Sequence, residues 1–262
     1  MTQALPEYEI YALRYATMAR KRQEAFMAFD PHDGPMPIDY FVWVVRNAER
    51  TILVDTGFSA EAAQRRGRQF LCSPIDAIAR LGIKAADVQD VIITHLHYDH
   101  VGGFDQFPNA RFHLQDREMS FATGRHMADS EFSHAFTARH VAEMVVAVHA
   151  KRVQFDDGDA DLAPGISVHH IGGHTDGLQA VRVSTAAGWL VLASDASHYY
   201  ENMEATRPFP IVFDVAAMVA GYDRLRSLAG PGGAIVPGHD PMVFERYPAA
   251  DPSLSGVAVR LG

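Results

Sequence analysis

A chain of 262 residues, 48% of them hydrophobic, holds enough apolar material for one large α/β domain or two small ones. Its 23 Lys and Arg against 32 Asp and Glu give a formal charge of −9, which argues against a nucleic-acid-binding surface. A single cysteine, Cys72, excludes an internal disulfide; residues 1–10 lack the features of a signal peptide and no apolar run reaches membrane-spanning length, so the expectation is a soluble cytoplasmic protein.

Along the chain, Tyr8 to Tyr15 alternates like a strand, with Tyr8, Ile10 and Ala12 on one face and Glu9, Tyr11 and Leu13 on the other. Met18 to Phe29 reads as a short helix or an ordered loop. Phe41–Val45 and Thr51–Val54 read as a hairpin whose second strand ends at Asp55-Thr56-Gly57. An acid there can hold a ligand histidine in place, or can simply make an Asx-turn. Ala60–Phe70 and Ser73–Leu81 read as helices, the second capped by Ser73-Pro74. The basic runs Arg20-Lys21-Arg22 and Arg65, Arg66, Arg68 read as solvated helix faces.

The short apolar strand Val91–Ile93 then runs into Thr-His-Leu-His-Tyr-Asp-His-Val-Gly-Gly, residues 94–103. His95, His97, Asp99 and His100 fall within six residues. His95 and His97, two apart in extended chain, can face one metal ion; Asp99 and His100, past a turn, can reach a second. Gly102 and Gly103 are expected to let the backbone pass close to the ions and start a helix. Imidazole and carboxylate together suit zinc and similar ions.

Arg111–Leu114 reads as a strand, and Arg117 to His149 as largely helical, able to cover the site. Its His126, His134, His140 and His149 do not repeat the compact ligand spacing. The acidic stretch from Gln154 to Pro164 lacks the closing glutamate of a calcium loop and reads as hairpin turns. The strand Ile166–Ile171 leads to His174, Trp189–Leu192 to Asp195, and Ala234–Val236 to His239, with an amphipathic helix at Val215–Leu228. Strand, loop, ligand is thus repeated through what reads as one domain, 1–262, with two sheets face to face and helices outside. On this reading His95, His97 and His174 serve one ion, Asp99, His100 and His239 the other, and Asp195 spans both. Two divalent ions facing two carboxylates leave the centre cationic, lowering the pKa of bound water and yielding a hydroxide nucleophile; hydrolysis is the expected reaction class.

The set His95-x-His97-x-Asp99-His100, then His174, Asp195 and His239, resembles the metallo-β-lactamase superfamily, and within it the N-acyl homoserine lactonases. The likeness runs from about Phe41 to Pro241 and includes Ile52-Leu53-Val54-Asp55-Thr56-Gly57, Asp195-Ala196-Ser197, Phe209, Phe213-Asp214 and Gly238-His239-Asp240. It implies an αββα sandwich, two zinc ions, Asp55 as the residue behind the ligands, and lactone opening by a metal-bridging hydroxide, with Asp99 carrying a proton to the leaving oxygen. A homodimer is implied only by the family. Where those lactonases commonly carry tyrosine three residues past the aspartate, this chain has His198, followed by Tyr199 and Tyr200. His198 can donate the same hydrogen bond to the substrate carbonyl, a neighbouring tyrosine can replace it, or His198 is only a loop residue. Tyr98, in place of a common phenylalanine, joins His198 and Tyr199 as an expected substrate contact. Met18, Phe26, Met27, Phe29 and Met36 either form an acyl-chain surface or pack in the core. The remaining readings are hydrolysis of another small ester, thioester or phosphate ester, and a non-catalytic binding protein that kept the fold.

Overall fold

The computed structural model describes residues 5–262. Its strands are β1 (Glu9–Met18), β2 (Ile38–Arg46), β3 (Thr51–Val54), β4 (Gln69–Phe70), β5 (Asp90–Ile92), β6 (Arg111–Gln115), β7 (Val153–Asp156), β8 (Ala160–Ala163), β9 (Ile166–His170), β10 (Gln179–Thr185), β11 (Gly188–Ser194), β12 (Ala234–Pro237) and β13 (Ala258–Arg260). One sheet has the order β13-β1-β2-β3-β5-β6-β7, with β4 also pairing β1; the other is β12-β11-β10-β9-β8.

Period-two alternation sorts the long strands into two cores. Leu13 and Tyr15 of β1 and Tyr40, Val42 and Val44 of β2 pack with Ala62, Ile78 and Met144 of the helices Ala60–Arg66, Pro74–Arg80 and Ala138–His149. Their neighbours Ile10, Ala12, Phe41, Trp43 and Val45 pack with Val168, Val181 and Leu192 of the second sheet. The helix Val215–Ala229, capped by Asp214, buries Met218, Tyr222 and Leu225 in that same cluster. The result is the helix–sheet–sheet–helix layering of an αββα sandwich. Among the described residues no helix is long and apolar enough to cross a membrane.

The topology aims strand ends at one place. β3, β5, β6 and β7 are mutually parallel. β9 and β11 are both antiparallel to β10, and β12 is parallel to β11, so these three also share a direction. The loops that leave β3, β5, β9, β11 and β12 can therefore meet at one edge of the sandwich.

Several local expectations are corrected. The helix expected over Ala60–Phe70 stops at Arg66, because Gly67 turns left-handed (φ 66°), and Gln69–Phe70 pairs with β1 instead. Of the hairpin turns expected in Gln154–Pro164, the last is present, joining β8 to β9 antiparallel across residues 164–165, but residues 157–159 do not form one: β7 and β8 belong to different sheets and the chain crosses between them. Arg117–His149 is broken into shorter pieces, Asp116–Ala122, Arg125–Ala128, Ser130–Ser133 and Ala138–His149. For Met18–Phe29 the ordered-loop reading holds: once β1 ends at Met18 the chain makes one turn of 3-10 helix at Arg22–Glu24, pinned where Arg22 meets Asp30 (2.9 Å) and Glu201.

Candidate metal centre

Asp55 follows β3 with a left-handed φ of 60° and is fully buried. Its Oδ1 accepts the Thr94 N–H and its Oδ2 the Thr94 hydroxyl, both at 2.8 Å. The same Oδ2 lies 2.7 Å from His100 Nδ1, which turns His100 Nε2 inward. Thr94 Oγ1 is also 2.8 Å from Ser194 Oγ, so this knot joins the ends of β5 and β11. Of the two readings open for Asp55, the structure selects the one in which it holds a histidine.

His95 and His97 lie beyond the end of β5 on an irregular segment, not on the strand itself. Asp99 and His100 occupy the short helix Tyr98–Val101, where Tyr15 donates its hydroxyl to the Asp99 carbonyl at 2.8 Å. Gly102 ends this helix rather than starting one. A Cβ on it would lie 2.5 Å from the Tyr98 carbonyl oxygen and 2.9 Å from that of Gly57, so the close approach is between backbones.

From the second sheet, His174 follows β9, Asp195 directly follows β11 and His239 follows β12. His174 Nδ1 donates to the Ile211 carbonyl and His239 Nδ1 to that of Asp39, each at 2.7 Å. A carbonyl oxygen only accepts, so both protons sit on Nδ1 and both Nε2 lone pairs face the centre. Asp195 lies between the groups. Its Oδ1 is 3.0 Å from His239 Nε2 and 3.4 Å from His100 Nε2; its Oδ2 is 3.2 Å from His174 Nε2 and 3.9 Å from His95 Nε2.

Side-chain atoms of His95, His97 and His174 come within 4.8 Å of one another, as do those of Asp99, His100 and His239; Asp195 falls in such a group with His95 and His100. These are the two sets and the shared carboxylate expected from sequence. His95 Nε2, His100 Nε2 and Asp195 Oδ1 are buried with no hydrogen-bond partner among the described residues. Leaving such an atom unpaired costs about 1–3 kcal/mol. Three around one point, in a histidine–carboxylate set without thiols, fit a centre that binds divalent cations.

His198 is buried, stacked on Phe209 at 3.6 Å, with Nε2 3.1 Å from Asp195 Oδ2. Burial pushes its imidazole down to about 3, against the opposing pull of Asp195, so the ring is neutral. Tyr98 borders the cleft, and burial together with Asp99 pushes its phenol up to about 12. Tyr199 does not reach it: its hydroxyl donates to the Met36 and Pro37 carbonyls, and its ring packs with Ala25 and Phe26. Tyr200 packs in the inter-sheet core. The expectation of a substrate contact from Tyr199 is therefore corrected, because main-chain acceptors claim its hydroxyl.

The centre opens into a cleft of about 230 Å³. Of the candidate acyl-chain residues only Met18 lines it. Phe26 is buried elsewhere, and Met27 (49% exposed) and Phe29 (83% exposed) face solvent. His134 and Ala135 of the 111–155 region form part of the wall, and the Ala135 carbonyl accepts the Tyr98 N–H at 2.9 Å, so this segment does cover one side. His126, His134, His140 and His149 join none of the metal-capable groups among the described residues.

Three features escaped the sequence reading. Glu118, fully buried, accepts the Leu96 N–H on Oε1 (2.8 Å) and the Thr175 hydroxyl and Gly177 N–H on Oε2 (2.6 and 3.1 Å). It thereby fastens the His95–His97 segment to the His174 loop; burial raises its pKa and the three donors oppose that rise. Its signal was an acid at the first position of a buried stripe shared with Phe121 and Ala122. Thr94 gave no signal beyond its place before the ligands. Arg66 and Arg68, read as part of a solvated face, instead line the cleft; of that run Arg65 alone is paired outward, with Glu61 at 3.5 Å.

Residues 37–239 match the metallo-beta-lactamase superfamily. An N-acyl homoserine lactonase of a Bacillus species is 28% identical over 223 residues, which cover 78% of this chain and 82% of that protein. Two solved structures are similar in fold. An N-acyl homoserine lactone hydrolase with N-hexanoyl-L-homoserine bound at its catalytic metal centre has a TM-score of 0.76 at 22% identity, covering 93% of this chain and 97% of that one. AidC, a dizinc quorum-quenching lactonase, has a TM-score of 0.72 at 19% identity, covering 91% and 90%. With the family match spanning well over half its length, the chain belongs to the metallo-beta-lactamase superfamily.

Proposed function

We propose that this chain is a dinuclear zinc hydrolase that opens lactone rings, the N-acyl homoserine lactones being its substrate class. The observation that carries the reading is Asp195, whose two oxygens face separate histidine sets. The activity of the relatives supports the substrate class. On this proposal His95, His97 and His174 hold one ion, Asp99, His100 and His239 the other, and Asp195 both. Bound there, zinc would supply Lewis acidity toward the ester carbonyl and a water activated near neutral pH.

The remaining work belongs to side chains. Asp99, the more open of the two carboxylates in the set, carries a proton to the leaving ring oxygen. His198, neutral and fixed by its stack on Phe209, holds its one proton on Nε2 toward Asp195 Oδ2 at 3.1 Å, and on this proposal shares that N–H with the substrate carbonyl when substrate enters. Tyr98 forms the wall beside Asp99, and Asp55 sets the orientation of His100. A single domain, a cytoplasmic location and a homodimer complete the proposal. The lone Cys72, which fits a reducing compartment, supports the second; the family resemblance supports the third.

The test is a substrate panel on zinc-loaded protein: acyl homoserine lactones, plain lactones, aryl esters and glutathione thioesters, alongside elemental analysis. Two ions per chain and opening of the acyl homoserine lactones are expected. Turnover of thioesters alone would overturn the lactonase reading, and a sample that never takes up more than one ion would overturn the dinuclear one.

A further inference from the structure

We infer that the molecule cleaved in this cleft carries a carboxylate on the arm remote from the bond that is cut, and that Arg66 and Arg68 receive it. The inference rests on the hydrolase reading above and narrows its substrate class. Both arginines line the same cleft as the metal-capable residues. They flank Gly67, whose left-handed turn ends the helix Ala60–Arg66 and brings both side chains back onto Tyr98. The Arg66 guanidinium lies 3.8 Å from the centroid of the Tyr98 ring, and Arg68 donates from Nε to the Tyr98 hydroxyl at 3.0 Å. Tyr98 thus orients two planar forks at one wall of the cleft.

Neither fork is neutralised. Among the described residues neither Arg66 nor Arg68 lies within ion-pair distance of a carboxylate; their other side-chain hydrogen bonds go to the carbonyls of His134 and Arg66, leaving Nη2 of each free. Arg20 also borders the cleft, but Glu24 stands 3.6 Å from its Nε. Among the described residues the only acids on the cleft wall are Asp99 and Asp195, both committed to the proposed centre. Two unpaired guanidinium groups beside a net cationic centre, on a chain of charge −9, make a local positive field that selects anions. The Nε–Nη2 edge of Arg66 is open for a carboxylate in two parallel hydrogen bonds, and Arg68, whose Nε and Nη1 are engaged, adds its Nη2 and its charge; a neutral acyl chain can use neither. Met18, Ile38, Tyr40 and Ile211 give the cleft an apolar wall that can pack the methylenes of such an arm, while Phe26, Met27 and Phe29 lie elsewhere and do not extend it.

The test uses two pairs of compounds differing only at the far end of the acyl arm. N-hexanoyl and N-adipoyl homoserine lactone are compared for kcat/KM with zinc-loaded enzyme. Their ring-lactam analogues, which resist hydrolysis, are compared for binding by calorimetry. The carboxylated member is expected to lead by about tenfold or more in both, with the lead shrinking as salt rises from 20 to 500 mM, conditions that shorten screening from tens of ångströms to a few. Arg66→Gln and Arg68→Gln should each cut that ratio, and the double variant should bring it near one. Arg68→Lys, which keeps the charge and loses the fork, should fall between. A merely structural role for the arginines would lower both members of a pair together and leave the ratio and its salt dependence unmoved. Equal binding of the two lactams, or a ratio that survives in the folded double variant, overturns the inference. Hydrolysis of the lactones decides the lactonase reading and lactam binding decides this one, so the two fail separately.

Discussion

The two sheets supply their halves of the candidate centre in different ways. The ligands after β5 are close in sequence and braced by side chains, Asp55 behind His100 and Glu118 behind Leu96. The histidines of the second sheet are far apart in sequence and are oriented by main-chain carbonyls, Ile211 for His174 and Asp39 for His239. A carboxylate brace can be removed by one substitution; a carbonyl brace cannot. Asp55 is therefore the brace whose loss loosens the first half selectively, Glu118, which also holds Thr175 and Gly177, ties one half to the other, and Asp195 is the point where both halves fail together.

Asp195→Ala should have the largest effect. Elemental analysis should find metal lost, and kcat/KM should fall by more than the about 10–100-fold typical of losing an outer partner. Two retained ions with full rate would reject the shared-carboxylate assignment. Asp55→Asn comes next. Asparagine tolerates the left-handed backbone, so the change removes charge from behind His100 and should weaken one ion by about 10–100-fold. Glu118→Gln should act on the other ion, through the His95–His97 segment and the His174 loop, and cost about 1–3 kcal/mol of stability because an amide places donors against donors. Stepwise chelation separates the two ions; if Asp55→Asn and Glu118→Gln weakened the same one, the contrast between separately braced sites would be gone.

Gly238→Ala should be milder in chemistry but visible in melting. Its Cβ would sit 2.6 Å from Asp195 Oδ1 and 2.8 Å from the Ser194 backbone, an overpacking worth about 1–3 kcal/mol. The smallest effect is expected of Met27→Ser and Phe29→Ser, which lie outside the cleft and are 49% and 83% exposed; each should stay within about 0.5 kcal/mol in stability. A large loss of activity toward long acyl chains in either would restore the acyl-surface reading.

What was legible in the sequence follows from the range of each signal. The ligand residues were legible because carboxylate and imidazole placed just after apolar strands are local patterns, and the alternation of Ile10, Ala12, Leu13 and Trp43 is equally local. The role of Asp55 was half legible: its position at a strand end was visible, but the choice between turn and brace depended on His100, 45 residues away. Glu118, the fate of Tyr199 and the placement of Arg66 and Arg68 depend on contacts with distant backbone or rings, which composition and period do not encode. The crossing at residues 157–159 was missed for the same reason, since a turn that changes sheet has the same composition as one that closes a hairpin.

The convergence of both sheets on one point also bears on how the molecule comes apart. His95 to His100 leave one sheet, and His174, Asp195 and His239 leave the other, so ions held as proposed would act as rivets through the seam. A ligand held only by the folded form adds stability that grows logarithmically with its free concentration, about 2.7 kcal/mol at a hundredfold excess over the dissociation constant. Scarcity of metal would then be felt first as a gaping edge open to proteases, and the lifetime of the protein would track the supply of its ions.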